Sequence, residues 1–313
     1  MSALYQLRHY TVYRYGEPVE AAQNQLRMHL RELPGQRCML RAVHILPRPS
    51  WTRLQTDYFG NRVLAMQLGT PHRVSKIFVK HRVRVQTRPL RASQATPSWE
   101  TVLGLLNAAA HAQDPQLAML RLPSRLAPCA PALADFARPH FAPGRPVLEA
   151  GIALMQAIHR DFAFNPKATS IATPVLEVLR TRAGVCQDFA HLMVAALRSL
   201  GLAARYVSGY IETLPPPGQP KLVGADASHA WVSLWCGPEA GWQDLDPTNA
   251  LRPQGQHLVT AWGRDYDDVI PLNGVLAGGA GETRMQVRVD LRRVEAATGP
   301  GEPPAAEPGQ ASP

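Results

Sequence analysis

The chain has 313 residues, of which 45% are hydrophobic, and it carries 33 Lys and Arg against 24 Asp and Glu, a formal net charge of +9. Two domains with a sizeable core are expected at this length, and the hydrophobic share is ordinary for a globular protein. No apolar run approaches the roughly 20 residues of a membrane span. Because residues 1–9 also lack the apolar stretch of a signal peptide, we expect a cytoplasmic protein without a membrane partner.

Cysteine usage argues against a disulfide framework, because only four cysteines are spread over the chain and no secretion signal is recognised. There is no Cys-x-x-Cys pair and no His/Cys cluster at zinc spacing, so we predict neither a metal nor a cofactor. Three of the four cysteines are interpreted as structural thiols: Cys38, Cys129 and Cys236.

The positive charge is concentrated near the amino terminus. Residues 1–91 hold 16 Lys and Arg against 4 Asp and Glu, whereas the remainder holds 17 against 20. Such a region can contact nucleic acid, an acidic peptide or an anionic surface. However, the basic residues alternate with apolar ones as on half-exposed strands, and no basic motif is interleaved with aromatic residues. We therefore predict a solvated arginine-rich face and expect no nucleic-acid partner.

Residues 1–90 have the pattern of β-strands. Residues 5–15 and 77–87 alternate with period two and are rich in aromatic and β-branched side chains. A Gly-Asn turn divides residues 57–68 into two further strands. A small antiparallel β-sandwich domain is the simplest fold for these strands. We assign no chemistry to three polar residues of this region, His9, Asp57 and His81.

The rest of the chain is predicted to contain a connector, a second domain and a tail. Residues 91–145 are rich in Pro and Ala and contain short helical patterns, as expected of a connector. Residues 146–294 are predicted to form the second domain, which opens with apolar residues at helical spacing. Its strands are predicted at 204–211, around His229 and Trp242, and at 287–294. Residues 295–313 contain too few apolar side chains to fold, and we predict that they are disordered.

A long apolar helix in the second domain begins at Cys186 and ends before Gly201, a residue type favoured just past a helix end. The unpaired N–H groups and the positive end of the helix dipole favour an anion at the position of Cys186. A cysteine in this place is favoured as the thiolate, which is the nucleophilic form. The alternative is that Cys186 is a buried cysteine that acts as a small hydrophobic side chain.

A predicted strand further along the chain carries His229. Strand alternation puts His229 on the side opposite the apolar Ala230 and Val232. The apolar side is expected to face the core. We therefore expect the side with His229 to face the helix of Cys186 or a cleft.

Two aspartates on the following strand are candidates for a partner of His229. Asp244 and Asp246 share one side of that strand, so alternation alone leaves open which of them reaches the imidazole. A cysteine, a histidine and an aspartate in this order can form a nucleophile, a base, and a group that orients the base.

Four motifs in this order resemble the transglutaminase-like superfamily. They are Gly-Val-Cys-Gln-Asp-Phe-Ala-His at 184–191, Arg-Tyr-Val-Ser-Gly-Tyr at 205–210, His-Ala-Trp at 229–231 and Asp-Pro-Thr-Asn at 246–249. The chain resembles in particular the bacterial branch of this superfamily, which carries an extra amino-terminal β domain. The resemblance implies an α+β, papain/transglutaminase-like core in which the cysteine helix packs on an antiparallel sheet. It also selects Asp246 over Asp244, because Asp246 precedes the Pro-Thr-Asn of the motif.

The resemblance implies a Cys186-His229-Asp246 triad that acts on a peptide or protein substrate. Cys186 would attack an amide or ester carbonyl and form a thioester, and His229 would protonate the leaving amine. Asp246 would orient the imidazole, and the backbone N–H of Cys186 would stabilise the oxyanion. We favour hydrolysis over cross-linking. Animal transglutaminases of the superfamily use calcium, but no Asp-x-Asp-x-Asp-Gly loop is present here, so we predict no calcium requirement.

Two other interpretations remain open at the level of sequence. The first is a catalytically silent protein-binding module on a transglutaminase-like scaffold, although such a module would typically have lost the cysteine or the histidine. The second is a nucleic-acid binder that uses the basic first domain, for which a steep salt dependence of binding would be diagnostic. Asp188 and His191 do not share one helical face with Cys186, and we do not expect them to bind a metal.

Overall fold

The computed structural model of the protein describes residues 2–87, 89–108, 114–212, 228–279 and 281–294. Antiparallel strands dominate both ends of this part of the chain. The strands are β1 Ser2–Val19, β2 Ala21–Leu26, β3 Gln36–Leu46, β4 Trp51–Thr56, β5 Arg62–Leu68, β6 His72–Gln86, β7 Ala163–Phe164, β8 Ala183–Gly184, β9 Ala204–Ile211, β10 Ser228–Trp235, β11 Trp242–Leu245, β12 His257–Gly263, β13 Leu272–Ala277 and β14 Thr283–Val294.

The helices lie mainly between the two groups of strands. They are α1 Trp99–Asn107, α2 Pro115–Met119, α3 Pro131–Ala137, α4 Val147–Asp161, α5 Val175–Thr181, α6 Cys186–Ser199 and α7 Tyr266–Val269, with short 3₁₀ turns at Ser93–Ala95 and Arg138–His140. None of these helices is both long and apolar enough to cross a membrane. The predicted disordered tail, residues 295–313, lies outside the described residues.

The amino-terminal strands form two antiparallel sheets, in the orders β14-β1-β6-β3 and β13-β2-β5-β4. Strand β1 is the clearest case of the predicted alternation, because Tyr5, Leu7, His9 and Thr11 are buried whereas the residues between them are partly or fully exposed. The buried side chains of the two sheets form apolar clusters, so the predicted antiparallel sandwich is confirmed.

Two strands of this sandwich come from the carboxy-terminal end of the chain. Strand β14 pairs with β1 from Leu4 to Tyr15, and β13 pairs with β2. This differs from the predicted partition, in which residues 146–294 form the second domain alone. Alternation within 287–294 indicates a strand, but it carries no information about which distant strand becomes the partner. The first domain is therefore closed by residues more than 250 positions downstream of its own first strand.

The second unit is an antiparallel sheet in the order β11-β10-β9-β12, with helix α6 packed on it. Eleven residues of α6 are buried, so this helix is surrounded by the core along most of its length. Side chains from α1, α2 and α3 enter the same core, among them Leu106, Leu117 and Leu133. A helix packed on an antiparallel sheet is the predicted α+β arrangement.

The two units are joined by buried polar contacts. The side chain of Gln36 pairs with the backbone of Val259 in β12, with Nε2 to O at 2.9 Å and N to Oε1 at 2.8 Å. The Nδ1 atom of His9 lies 2.8 Å from the hydroxyl of Tyr210 in β9. The amide of Asn61 likewise pairs with the backbone of Trp262. These contacts hold the amino-terminal sandwich against the sheet that carries the candidate site.

Candidate active site

The thiol of Cys186 lies at the first residue of α6, after a short turn that is held by side chains. The carboxylate of Asp188 accepts a hydrogen bond from the backbone N–H of Val185 at 2.8 Å and from the hydroxyl of Thr169 at 2.6 Å. A Cβ at Gly184 would lie 2.8 Å from the side chain of Asp188, so a glycine is needed for this close approach. The turn therefore fixes where the thiol enters the site.

Asp188 and His191, in the first two turns of α6, have structural contacts. Asp188 is used by the turn just described. The Nε2 atom of His191 accepts a hydrogen bond from the backbone N–H of Tyr266 at 3.1 Å, and its ring stacks on Tyr206 at 4.7 Å. Burial lowers the pKa of His191 to about 4, which keeps the ring neutral and able to accept.

Strand β10 carries His229, and its apolar side faces the core as expected. Ala230, Val232 and Leu234 belong to the apolar core that contains α6. Trp231 packs on the opposite face of the sheet. Of the two orientations expected for the side with His229, the structure shows the one in which His229 faces a cleft.

His229 lines a cleft, and it meets the thiol at the first turn of the helix. Cys186 and His229 line the same cavity, and Cys186 contributes to the raised pKa of His229. Gly209 lies opposite His229 in β9. A Cβ at Gly209 would lie 2.0 Å from the carbonyl oxygen of Leu258 and 2.7 Å from the ring of Trp231, so glycine lets β12 approach behind the histidine.

Asp246 follows β11 and is completely buried. Its Oδ2 atom lies 2.8 Å from Nε2 of His229 and accepts a hydrogen bond from Nδ2 of Asn249 at 2.8 Å. Its Oδ1 atom accepts the backbone N–H groups of Thr248 and Asn249 at 3.0 and 3.2 Å. Asp244 pairs with Ser233, four residues along β10 from His229, which corresponds to a distance of about 13 Å along a strand. Of the two candidate aspartates, the structure brings Asp246 to the imidazole.

A second histidine, His257 in β12, was missed by the sequence analysis. Its Nε2 atom lies 2.9 Å from the same Oδ2 atom of Asp246, and its ring meets Trp231 edge-on at 5.0 Å. Its Nδ1 atom is buried and has no hydrogen-bond partner among the described residues. The β-branched and aromatic run at 258–262 could have indicated strand β12, but it contains no signal that places His257 on Asp246.

Burial and hydrogen bonding shift the pKa values of His229, Asp246 and His257 in different directions. Burial alone would lower the pKa of His229, but the hydrogen bonds and charges of Asp246 and Cys186 outweigh it and raise this pKa to about 9. Burial alone would raise the pKa of Asp246, but hydrogen bonds from His229 and His257 hold it below its usual range. The pKa of His257 is lowered by burial, which outweighs its bond to Asp246. At neutral pH this corresponds to a protonated His229, an ionised Asp246 and a neutral His257.

The ligand atoms of these three residues are close enough to consider a metal site. The two Nε2 atoms and the carboxylate oxygen lie within 4.8 Å of one another, and this is the sole cluster of that kind in the described ranges. However, both imidazoles already bond to the carboxylate, so a metal ion at this place would displace the contacts that orient His229.

The cavity in front of the thiol has a volume of about 820 Å³. One wall is formed by the second unit, including Cys186, His229 and Asn249. The opposite wall comes from strands of the amino-terminal sandwich and their ends, with Ala3, Tyr5, Val85, Thr87 and Arg293. The hydroxyl of Tyr5 donates to Oε2 of Glu212 at 2.9 Å and so links the two walls. The first domain therefore contributes to the shape of the cleft.

Comparison with known proteins agrees with this geometry. Residues 134–247 match the sequence model of the transglutaminase-like superfamily, and residues 5–85 match that of the bacterial transglutaminase-like N-terminal region. An uncharacterized protein of Mycobacterium tuberculosis is 36% identical over 295 residues, which is 92% of each chain. The chain belongs to the transglutaminase-like superfamily.

Two further relatives extend the comparison. A protein-glutamine gamma-glutamyltransferase of Pseudomonas aeruginosa is 36% identical over 161 residues, which is 49% of this transglutaminase-like chain and 24% of the relative. The crystal structure of a candidate cysteine protease from Cytophaga hutchinsonii superimposes with a TM-score of 0.73. It is 19% identical and covers 95% of this chain and 92% of its own. The predicted fold, a papain/transglutaminase-like core preceded by an antiparallel β-sandwich, is therefore confirmed.

Proposed function

We propose that this transglutaminase-like protein is an enzyme that performs cysteine-dependent acyl chemistry on the amide bonds of a peptide or protein. The observation that carries the proposal is that Cys186 and His229 line one open cleft, while Nε2 of His229 lies 2.8 Å from the buried carboxylate of Asp246. Nε2 of His229 is bound to the carboxylate, which leaves Nδ1 for the thiol. This order of groups supports an enzyme over a silent binding module.

In the proposed reaction, the thiolate of Cys186 attacks the carbonyl carbon and forms the C–S bond while the carbonyl oxygen becomes an oxyanion. The backbone N–H of Cys186, at the start of α6, is the proposed oxyanion donor. The protonated His229 gives its proton to the leaving amine as the C–N bond breaks, which leaves a thioester. His229 then takes a proton from water, the resulting hydroxide displaces the thiolate, and an acid is released.

The acyl acceptor is the finer part of the proposal, and we favour water over an amine because water is the default acceptor at an unshielded site. The Pseudomonas relative is named for transfer to an acceptor, and transfer is therefore the second candidate. Hydrolysis and transfer give different products from a peptide substrate when an amine is added. Hydrolysis gives the acid as the main product, whereas transfer gives the amide of the added amine, and mass spectrometry separates the two.

The nucleophile is tested by alkylation with iodoacetamide at about pH 6, where ordinary thiols are protonated. Cys186 should react faster than Cys38, Cys129 and Cys236, as read by mass mapping. Cys129 is the internal control, because it is exposed and free. His229→Ala should remove the advantage of Cys186. Equal rates at Cys186 and Cys129 in the unaltered protein would contradict the proposed role.

A further inference from the structure

The outer side of the sheet β14-β1-β6-β3 is unusually rich in cations. The inner side of this sheet carries the buried core residues, so the strand registers place the alternate residues on the outer side. We call this outer side the basic face. Its cations are Arg8, Arg14, Arg37, Lys76, Lys80, Arg82, Arg84, Arg284, Arg288 and Arg292, and all except the half-buried Lys80 are exposed.

Few carboxylates balance this charge. The sequences of the four strands contain two acidic residues, Asp290 and Glu17. Asp290 lies on the basic face and pairs with Arg292 at 2.8 Å, and Glu17 lies near the end of β1. Glu282, just before β14, pairs with Arg284 at 3.0 Å. Most of the cations are therefore available to an anionic partner.

A row of aromatic rings crosses the middle of the basic face. The registers place Tyr10 of β1 beside Phe78 of β6, and Phe78 beside His44 of β3. The rings of Tyr10 and Phe78 stack at 4.2 Å with an angle of 24°, and those of His44 and Phe78 lie 6.0 Å apart at 19°. Tyr10 is 46% exposed, and Arg288 of β14 continues the row on its far side.

The cations flank this row along the strands. Lys76 and Lys80 lie two residues before and after Phe78, and Arg8 lies two residues before Tyr10, which is about 7 Å along a strand. A cavity of about 390 Å³ opens beside Tyr10 and is also lined by Arg8 and Arg288. The ring of Tyr10 and two arginines therefore share one concave place, which the carboxylate of Asp290 also lines.

We propose that the basic face binds a single-stranded nucleic acid. Exposed rings on a sheet can stack with unpaired bases. This stacking tolerates different base sequences, because every base has a π-face. Phosphates would bind the flanking lysines and arginines. An acidic polypeptide would pair with the cations but would leave the aromatic row unused. The basic face lies on the side of the sheet opposite the cleft wall, so this binding goes beyond the proposed catalysis and can fail or hold independently of it.

The proposal is tested with the full chain and a fluorescein-labelled oligothymidylate about 12 nucleotides long, followed by anisotropy at increasing NaCl concentration. The comparison ligands are a duplex, poly-L-glutamate and phosphatidylglycerol vesicles. The single strand should bind most tightly. Its log–log salt slope should be about −3, as expected for four to five phosphate contacts.

Three variants test whether the single strand binds at the basic face. Tyr10→Ala should weaken the single strand about tenfold and leave its salt slope unchanged, because stacking is lost and the phosphate contacts remain. Arg82→Gln combined with Arg84→Gln should reduce the slope by about 1.4. Arg53→Gln is the matched control, because Arg53 is exposed on β4 of the other sheet and should change neither quantity.

Several outcomes would overturn the proposal. Equal binding of poly-L-glutamate or of vesicles, with no effect of Tyr10→Ala, would assign the face to a general anionic partner. Absence of salt-dependent binding of the single strand would leave it as a solvated surface. Labelling of Cys186 by iodoacetamide should be unchanged in Tyr10→Ala, which keeps a failure here distinct from a failure of the proposed catalysis.

Discussion

Strands β10 and β12 each place one histidine on the same carboxylate oxygen, but they surround these histidines differently. His229 of β10 opens onto the cleft that Cys186 also lines, and Cys186 contributes to the raised pKa of His229. His257 of β12 is enclosed, and its second ring nitrogen has no partner among the described residues. Their pKa values accordingly shift in opposite directions, upwards for His229 and downwards for His257. One hydrogen bond to a buried carboxylate therefore does not decide the charge of a histidine, because burial and the other nearby groups also shift its pKa.

Asp246→Asn should have the largest effect, because it removes the shared acceptor of both histidines. The fold should persist by circular dichroism. The imidazole of His229 would lose the partner that fixes its tautomer, and turnover should fall by up to about 10⁴-fold. Asp244→Asn is the matched control and should cost far less, since Asp244 lies opposite Ser233 and away from the imidazole. Kinetics in which Asp244→Asn is the more damaging change would reverse the assignment.

The two histidines should affect the pH dependence of stability in opposite directions. The pKa of His229 is about 9 in the folded state and about 6.5 when unfolded, so its contribution is complete below about pH 6.5 and is lost as pH rises through 9. That contribution is of order 3 kcal/mol. The lowered pKa of His257 has the opposite effect, because stability is lost as pH falls below about 6.5.

Urea unfolding from about pH 5 to pH 10 measures this dependence in the unaltered protein, in His229→Gln and in His257→Gln. The first variant should lose the alkaline decline of the free energy of unfolding. The second should lose part of the acidic decline. An alkaline decline of equal size in His229→Gln and the unaltered protein would show that another group is responsible.

Substitution of His257 should have a moderate effect on turnover. In His257→Leu, the Oδ2 atom of Asp246 loses one of its donors, and kcat should fall about tenfold while KM is unchanged, because His257 does not line the cleft. His257→Gln retains a donor and should recover most of this loss. If both variants lose activity equally and unfold at lower urea concentrations, His257 supports only the fold and does not position Asp246.

Chelation should have the smallest effect. The three ligand atoms at Asp246 are already paired with one another, so EDTA should leave both turnover and the unfolding midpoint unchanged. The control is re-addition of Ca²⁺ and of Zn²⁺ in separate samples. Activity that is lost with EDTA and restored by one of these ions would show that the site needs a metal.

Local patterns in the sequence were enough to predict many of the elements. The helix predicted to begin at Cys186 and to end before Gly201 is observed from Cys186 to Ser199, because its apolar residues and end signals act within a few turns. Alternation likewise predicted the amino-terminal sandwich. The choice of Asp246 over Asp244 came from the resemblance, since strand alternation cannot separate two residues of equal parity.

Only the tertiary structure decided how distant segments meet. It placed β13 and β14 in the amino-terminal sheets, put His257 on Asp246, and turned the side of β10 that carries His229 away from α6. It also assembled Tyr10, Phe78 and His44 into one row from three strands, although no stretch of sequence interleaves basic and aromatic residues in this way. Hydrophobic periodicity specifies the local conformation and which face is buried. It does not specify the partner of a strand, because pairing depends on contacts between residues that are far apart in the chain.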